Sequence, residues 1–253
     1  SRWEGIARGG WDLKHPIVRK LSVLDIRFLL DYSKFKGTMG TERFQMNLRS
    51  AYPIMTDRTS NTFFDTHYVY HTAWALRKLM EIWPEKHIDI GSSLYFSAMG
   101  SALCPMEVLD YRPPIISLPG LEVGRCDLCH LEFEDGSIGS LSCMHVVEHI
   151  GLGRYGDPID YNGDLKAISE LKRVTKRGGN LLFVVPVGKP KIMFNAHRIY
   201  SYDQVVDAFD GFELKELYLI PDPDKGSGPM ADATREVVDN QDYGCGCFWF
   251  QKG

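Results

Sequence analysis

From Asp65 onward the sequence predicts an α/β fold, an open and mostly parallel sheet with helices on both faces. Three observations carry that prediction. Short apolar runs alternate with segments of helical period, and repeated units of this kind close by right-handed crossovers. Residues 180–187 are nearly all apolar, as a strand buried on both faces must be. Residues 87–91, His-Ile-Asp-Ile-Gly, read as a strand that stops at a glycine turn and feeds a helix. That arrangement presents backbone N–H groups and a positive dipole end to a ligand.

The elements follow in order. Residues 1–64 form an N-terminal extension, expected to pack on the main domain or cap its site, in which only 17–30 has the composition of a helix. The main domain, 65–253, opens with Asp65 capping a helix that runs to Trp83 and ends at Pro84. Tyr68, Thr72, Leu76 and Leu79 recur along it at helical spacing. Strand one, 87–91, leads into a helix over 93–103 with Phe96, Met99 and Leu103 on one face. Strands two, three and four are 106–111, 121–126 and 139–144. A helix over 164–175 turns Leu165, Ile168, Leu171 and Val174 inward, and Gly178-Gly179 is expected to stop it. After strand five, Ser201 and Gln204 make a capping box for a helix reaching Gly211. Strand six is 212–220, and a polar connection over 221–244 leads to a closing strand at 246–251. Trp74, Trp83 and Trp249 read as core.

Composition narrows the function. The 253 residues, 44% hydrophobic and 25% charged, suit one large domain with an extension. A net charge of -4 gives no footprint for non-specific nucleic-acid binding, so nucleic acid is not an expected partner. The longest apolar runs are far too short to span a bilayer, and no secretory signal pattern opens the chain. Starting on Ser1 leaves room for an upstream portion. The six cysteines form no regular framework, which points to reduced thiols and a cytoplasmic location.

In such a sheet ligands bind beyond the carboxyl ends of the strands. The residues there are Asp89 and Gly91, then Asp110, then Asp127, then His145. Asp110 lies about twenty residues past the glycine turn, where an acid can accept hydrogen bonds from both hydroxyls of a ribose. Asp127-Leu128 is then placed to meet the base of the same nucleoside. His145, His149 and His197 are the acid–base candidates, because imidazole titrates near neutrality unaided. Arg154 and Arg198 can clamp a phosphate or carboxylate by bidentate hydrogen bonds, with Asn195 on the same rim.

These residues resemble a known superfamily. Asp-Ile-Gly (89–91), Asp110, the run Cys-Asp-Leu-Cys-His-Leu-Glu-Phe-Glu-Asp-Gly-Ser (126–137), His-Val-Val-Glu-His-Ile (145–150) and Leu-Lys-Arg-Val-Thr-Lys-Arg-Gly-Gly-Asn-Leu (171–181) look like class I S-adenosylmethionine-dependent methyltransferases. Gly-Leu-Gly-Arg-Tyr-Gly-Asp-Pro (151–158) and Phe-Asn-Ala-His-Arg (194–198) look like a branch described as a domain of unknown function, some of whose members lie near genes for surface glycans. The resemblance implies a Rossmann-like sheet with an antiparallel closing strand and S-adenosylmethionine as cofactor. It places Asp89, Gly91, Ser92 and Ser93 toward the methionine part, Asp110 at the ribose, Asp127 and Leu128 at the adenine, and His145 beside the sulfonium. The implied reaction is O-methylation of a small molecule or glycan, with His149 or His197 as base. One departure stands out: the pattern Gly-x-Gly-x-Gly has Ser93 and Tyr95 at its second and third glycines. Two other readings stay open. One is a fold that binds no cofactor and recognises glycans. The other is a zinc site, through His145 and His149 or through Cys126, Cys129, Cys245 and Cys247.

Overall fold

The computed structural model describes residues 26–40, 44–223 and 228–253. The chain divides into two compact units, Ser1–Phe63 and Phe64–Gly253. In the first, helix α1 is Ile26–Gly37 and a 3-10 turn is Leu48–Ser50. Of the helix expected over 17–30, residues 17–25 lie outside the described ones. The rest continues to Gly37 because no glycine or proline interrupts it earlier.

In the second unit, helix α2 (Thr66–Ile82) begins as expected, with the Asp65 carboxylate accepting from the Tyr68 N–H. It ends at Trp83 in a left-handed conformation. Trp83 is 68% exposed, so it terminates the helix rather than filling the core. The strands are β1 (His87–Ile90), β2 (Met106–Asp110), β3 (Leu121–Arg125), β4 (Ile138–Met144), β5 (Thr175–Val187), β6 (Lys191–Met193), β7 (His197–Ile199), β8 (Phe212–Ile220), β9 (Met230–Ala231) and β10 (Gly244–Lys252). Eight of them form one sheet in the order β3-β2-β1-β4-β5-β10-β8-β9, and β6 pairs with β7 as a separate hairpin. β3, β2, β1, β4 and β5 are parallel neighbours. β10 runs antiparallel to both β5 and β8, as the closing strand was expected to.

Residues 181–187 of β5 are buried on both faces, and successive side chains enter opposite cores, as the pleat demands. Leu181, Phe183 and Val185 join one core with Leu171 and Ile168 of α4 (Gly163–Val174), Val205 of α5 (Tyr202–Ala208) and Val238 of α6 (Arg235–Asp239). Leu182 and Val184 join the other with Trp74 and Leu79 of α2 and Phe96 of α3 (Leu94–Gly100). Each large apolar side chain so buried contributes about 1.5–3 kcal/mol.

Two local expectations need correcting, and one hairpin was not foreseen. α4 ends at Val174, where the Thr175 hydroxyl donates to the Leu171 carbonyl, so Gly178 and Gly179 lie inside β5 rather than capping the helix. The 221–244 connection holds β9 and α6, whose few apolar residues are too short to show a period. The β6–β7 hairpin is equally short.

A buried polar chain crosses the parallel sheet at its centre. Ser142 of β4 donates to the Asp89 carboxylate of β1 at 2.5 Å. Its oxygen accepts from His87 Nε2 at 2.9 Å, and His87 Nδ1 meets the Ser140 hydroxyl at 2.7 Å. Burial lowers the His87 pKa to about 3. Between that value and the 6.5 of the unfolded chain, the unfolded state binds a proton that the folded state excludes. Stability attributable to His87 is therefore lost as pH falls below 6.5, by up to about 1.4 kcal/mol per pH unit. Asp89 works in the opposite sense over part of that range, so the difference between two proteins is the measurement. Urea unfolding near pH 7 and pH 5.5 should show a shallower pH slope for His87→Gln than for wild type. Equal slopes would refute the assignment.

Candidate functional site

The tips of β1, β2, β3 and β4 surround a cavity of about 380 Å³. Behind its wall stands Asp89, which is fully buried and does not line the cavity itself. The carboxylate accepts from Ser97 of α3 at 2.8 Å as well as from Ser142 and Ser92. Burial pushes its pKa up to about 6 against the pull of these hydroxyls. Ser92 also accepts from the Met144 N–H at 3.1 Å, so the turn after β1 is stitched to the end of β4. Asp89 thus shapes the wall from behind.

Gly91 turns the chain at φ 66°, a conformation that costs other residues about 1–2 kcal/mol. A Cβ there would stand 3.2 Å from Val146 Cγ2 and 3.8 Å from Asp110 Oδ2. The glycine therefore lets β1, β2 and the β4 tip converge. Asp110 accepts from the Arg112 N–H at 2.7 Å through Oδ1, and Asp127 accepts from the Cys129 N–H at 2.9 Å. Leu128 is buried and lines the same wall. Ser93 caps α3, accepting from the Tyr95 N–H at 3.3 Å. Tyr95, in the third glycine position, is 78% exposed and is not part of the cavity lining.

The β4 side carries the histidines. His145 sits at φ 58°, a left-handed conformation unusual for a residue with a side chain and a form of strain found at functional sites. Its Nδ1 meets Glu148 Oε1 at 2.9 Å and its Nε2 lies 3.4 Å from Cys245 Sγ. Burial opposes a charge on this ring and the Glu148 carboxylate favours it, while Cys245, whose pKa burial pushes well up, stays a neutral thiol. His149 lines the cavity. Its Nδ1 lies 2.6 Å from the Ala196 carbonyl, so Nδ1 carries the proton and Nε2 keeps its lone pair. Burial lowers the His149 pKa, against the Glu148 carboxylate, which raises it. Arg154 Nη1 donates to the same carbonyl at 3.0 Å.

The remaining candidates are elsewhere. Asn195, His197, Arg154 and Arg198 do not line the cavity. Arg198 is buried, donating to the Ile150 carbonyl at 2.6 Å and the Tyr161 carbonyl at 3.0 Å. It braces the loop after β4 and leaves no open fork for an acceptor anion. His197 packs on Tyr243 with ring centroids 4.9 Å apart. Neither zinc arrangement foreseen from the sequence assembles among the described residues. His145 and His149 share Glu148 but not a helical face, since only a 3-10 turn, Val147–His149, joins them. Cys126 and Cys129 line the cavity, whereas Cys245 and Cys247 belong to the core beneath α2. Burial pushes Cys126 up to about 12 and Cys129 up to about 11, so both are neutral thiols.

Sequence reasoning missed that the loop over 151–158 forms part of the cavity wall. Gly151, Gly153 and Gly156 all take positive φ. The Asp157 carboxylate gathers the amides they expose, accepting from Gly151 N at 2.9 Å, Gly153 N at 3.3 Å and Tyr155 N at 3.1 Å. The Arg112 guanidinium then lies 4.3 Å from the centroid of the Tyr155 ring, closing one side of the cavity. Three glycines at short spacing followed by an aspartate was the available signal.

Comparison with known proteins agrees with this geometry. A family model described as "Caenorhabditis protein of unknown function, DUF268" matches residues 134–225. An uncharacterised protein of Methanocaldococcus jannaschii is 28% identical over 113 residues, covering 41% of this chain and 44% of that protein. The chain thus matches less than half the length of this curated relative. Among solved structures, the 1,6-didemethyltoxoflavin-N1-methyltransferase of Burkholderia thailandensis, bound to 1,6-didemethyltoxoflavin and S-adenosylhomocysteine, superposes with TM-score 0.52. The identity is 9%, over 92% of this chain and 89% of that one. The N-methyltransferase NodS of Bradyrhizobium japonicum, in complex with S-adenosylhomocysteine, gives 0.51 at 12% identity over 74% and 89%. The fold is the class I methyltransferase fold. In this version of it the second and third glycines of the first turn are replaced without obstructing the cavity. No helix among the described residues is long and apolar enough to cross a membrane.

Removing the acceptor of three amides, two of them part-buried, costs about 1–3 kcal/mol. Asp157→Ala should lower unfolding free energy by that amount and speed hydrogen exchange at Gly151, Gly153 and Tyr155. Unchanged exchange at all three would refute the role given to Asp157.

Proposed function

We propose that this chain is an S-adenosylmethionine-dependent methyltransferase acting on an oxygen of a small polar acceptor. The observation that carries the reading is the cavity at the β1 to β4 tips, with Gly91, Asp110 and Leu128 in its wall and Tyr95 turned to solvent. Its volume of about 380 Å³ falls within the range of small-molecule sites. The residues fit the group: a side chain at Gly91 would crowd Val146 and reach toward Asp110, so the turn is kept bare where a nucleoside would lie.

In this reading Asp110 accepts from the ribose hydroxyls, Leu128 packs against the adenine and Asp127 lies at its edge. Gly91, Ser92 and Ser93 give the turn that receives the methionine part, which Asp89 positions from behind. S-adenosylmethionine supplies an electrophilic methyl group when bound. The chain's part is to align the acceptor and remove its proton. His149 Nε2 is the favoured general base, being on a cavity-lining ring kept neutral by burial, with its other nitrogen held by Ala196. His145 shares the wall, and His197 stands behind it. Arg112 lines the cavity with Asp110, Asp127, Asp157 and Asp160, and Lys166 is paired with Asp160 at 2.6 Å, a polar lining that suits a hydroxyl-rich acceptor. A sugar of a surface glycan as that acceptor rests on the likeness of residues 151–158 and 194–198 alone.

Titration calorimetry with S-adenosylhomocysteine tests the reading. Wild type should bind, and Tyr95→Ala should bind within about twofold of it. Asp110→Ala should lose about 1.5–3 kcal/mol, at least tenfold in affinity. No binding by wild type at millimolar ligand, or full binding by Asp110→Ala, would overturn the assignment. With an accepted sugar or sugar phosphate, His149→Asn should lower turnover about 10²–10⁴-fold while cofactor affinity holds. Because burial lowers the His149 pKa, the wild-type rate should rise with pH through a value below 6.5 and then level off. A rate that still climbs above neutrality would assign the base elsewhere.

A further inference from the structure

We propose that His67, His145 and Cys245 form a binding site for a divalent cation of the zinc class. One ligand atom from each lies within 4.8 Å of the others, and all three residues are buried. They come from three separate places in the chain: the start of α2, the residue just past β4 and the second residue of β10. Such a set of imidazole, imidazole and thiolate matches zinc chemistry and leaves one position of a tetrahedral ion for water.

Three features separate this cluster from ordinary packing. His145 Nε2 and Cys245 Sγ are 3.4 Å apart. Two ligands of a tetrahedral zinc ion, one sulfur at about 2.3 Å and one nitrogen at about 2.0–2.1 Å, stand about 3.6 Å from each other. His145 Nδ1 is held by the Glu148 carboxylate at 2.9 Å, the outer partner that orients metal-bound histidines. Buried polar atoms are almost always partnered, yet His71 Nε2 and Glu148 Oε2 are buried without a hydrogen bond. The His71 ring centroid is 5.1 Å from that of His145. His71 Nε2 is the atom a metal-bound water can serve, whereas Glu148 lies across the His145 ring on its Nδ1 side. On binding, Cys245 gives its proton to solvent and joins the ion as thiolate.

The site does not depend on the methyl-transfer reading, and its test uses no cofactor. The purified full chain is analysed for bound metal, stripped with chelator and titrated with cobalt(II) chloride, then with zinc chloride in competition. One metal per chain is expected, with near-ultraviolet thiolate-to-cobalt absorption that zinc abolishes. Cys245→Ser should remove that absorption, whereas Cys104→Ser should keep it. His67→Gln should weaken cobalt binding at least tenfold, and Glu148→Gln about 10–100-fold. Wild-type protein that shows native circular dichroism but no thiolate-to-cobalt band at excess cobalt overturns the proposal. So does a band that survives Cys245→Ser. If Cys245→Ser fails to fold, the wild-type spectrum and His67→Gln decide the matter.

Discussion

A single carboxylate with no access to water organises this structure. Asp89 is placed at the tip of β1, where an isolated charge would cost several kcal/mol to bury. The cost is met by hydroxyls from three directions: Ser92 in the following turn, Ser97 on α3 and Ser142 on β4. Satisfying Asp89 therefore fixes the turn, the helix that follows it and the neighbouring strand relative to one another. His87 and Ser140 extend the same chain of hydrogen bonds across the sheet. With that frame rigid, Gly91 can lie against Val146, and the cavity wall between β1 and β4 is set before any ligand arrives. Preorganised polar networks of this kind specify one arrangement because each member is costly to leave unpaired.

Much of this was legible from residue order. The Asp65 cap, the Ser201–Gln204 capping box, strand β8 and the apolar run at the end of β5 are local patterns with local causes, and each formed where the sequence placed it. The cavity-lining acids at the strand tips were also legible, because strand ends in a parallel sheet face one rim. What residue order did not contain was side-chain direction. Asp89, expected toward the methionine part, turned into the core, and Tyr95, at the third glycine position, turned out to solvent. Arg198 looked like an anion clamp until the carbonyls of Ile150 and Tyr161 were seen to occupy it. Contacts between residues separated by most of the chain were beyond reach, and the His67–His145–Cys245 trio is the clearest case.

The cavity and the buried cluster meet at His145. Its strained backbone places one ring between the cavity wall, Glu148 and Cys245. Glu148 in turn approaches both His145 and His149, at 2.9 and 3.7 Å. Changes in the cluster's charge will therefore reach the proposed base through one shared carboxylate. The glycine loop over 151–158 supplies the facing wall and is held by Asp157, so the two sides of the cavity rest on two aspartates acting through hydrogen bonds rather than through contact with a ligand.

The central claim is that four strand tips hold an adenosine-bearing molecule. A crystal structure grown with S-adenosylhomocysteine tests it most directly. The account predicts the ribose hydroxyls within about 3 Å of the Asp110 carboxylate, the adenine against Leu128 and Tyr95 still in solvent. A nucleoside bound away from Asp110, or Tyr95 folded into the cavity in its place, would contradict it.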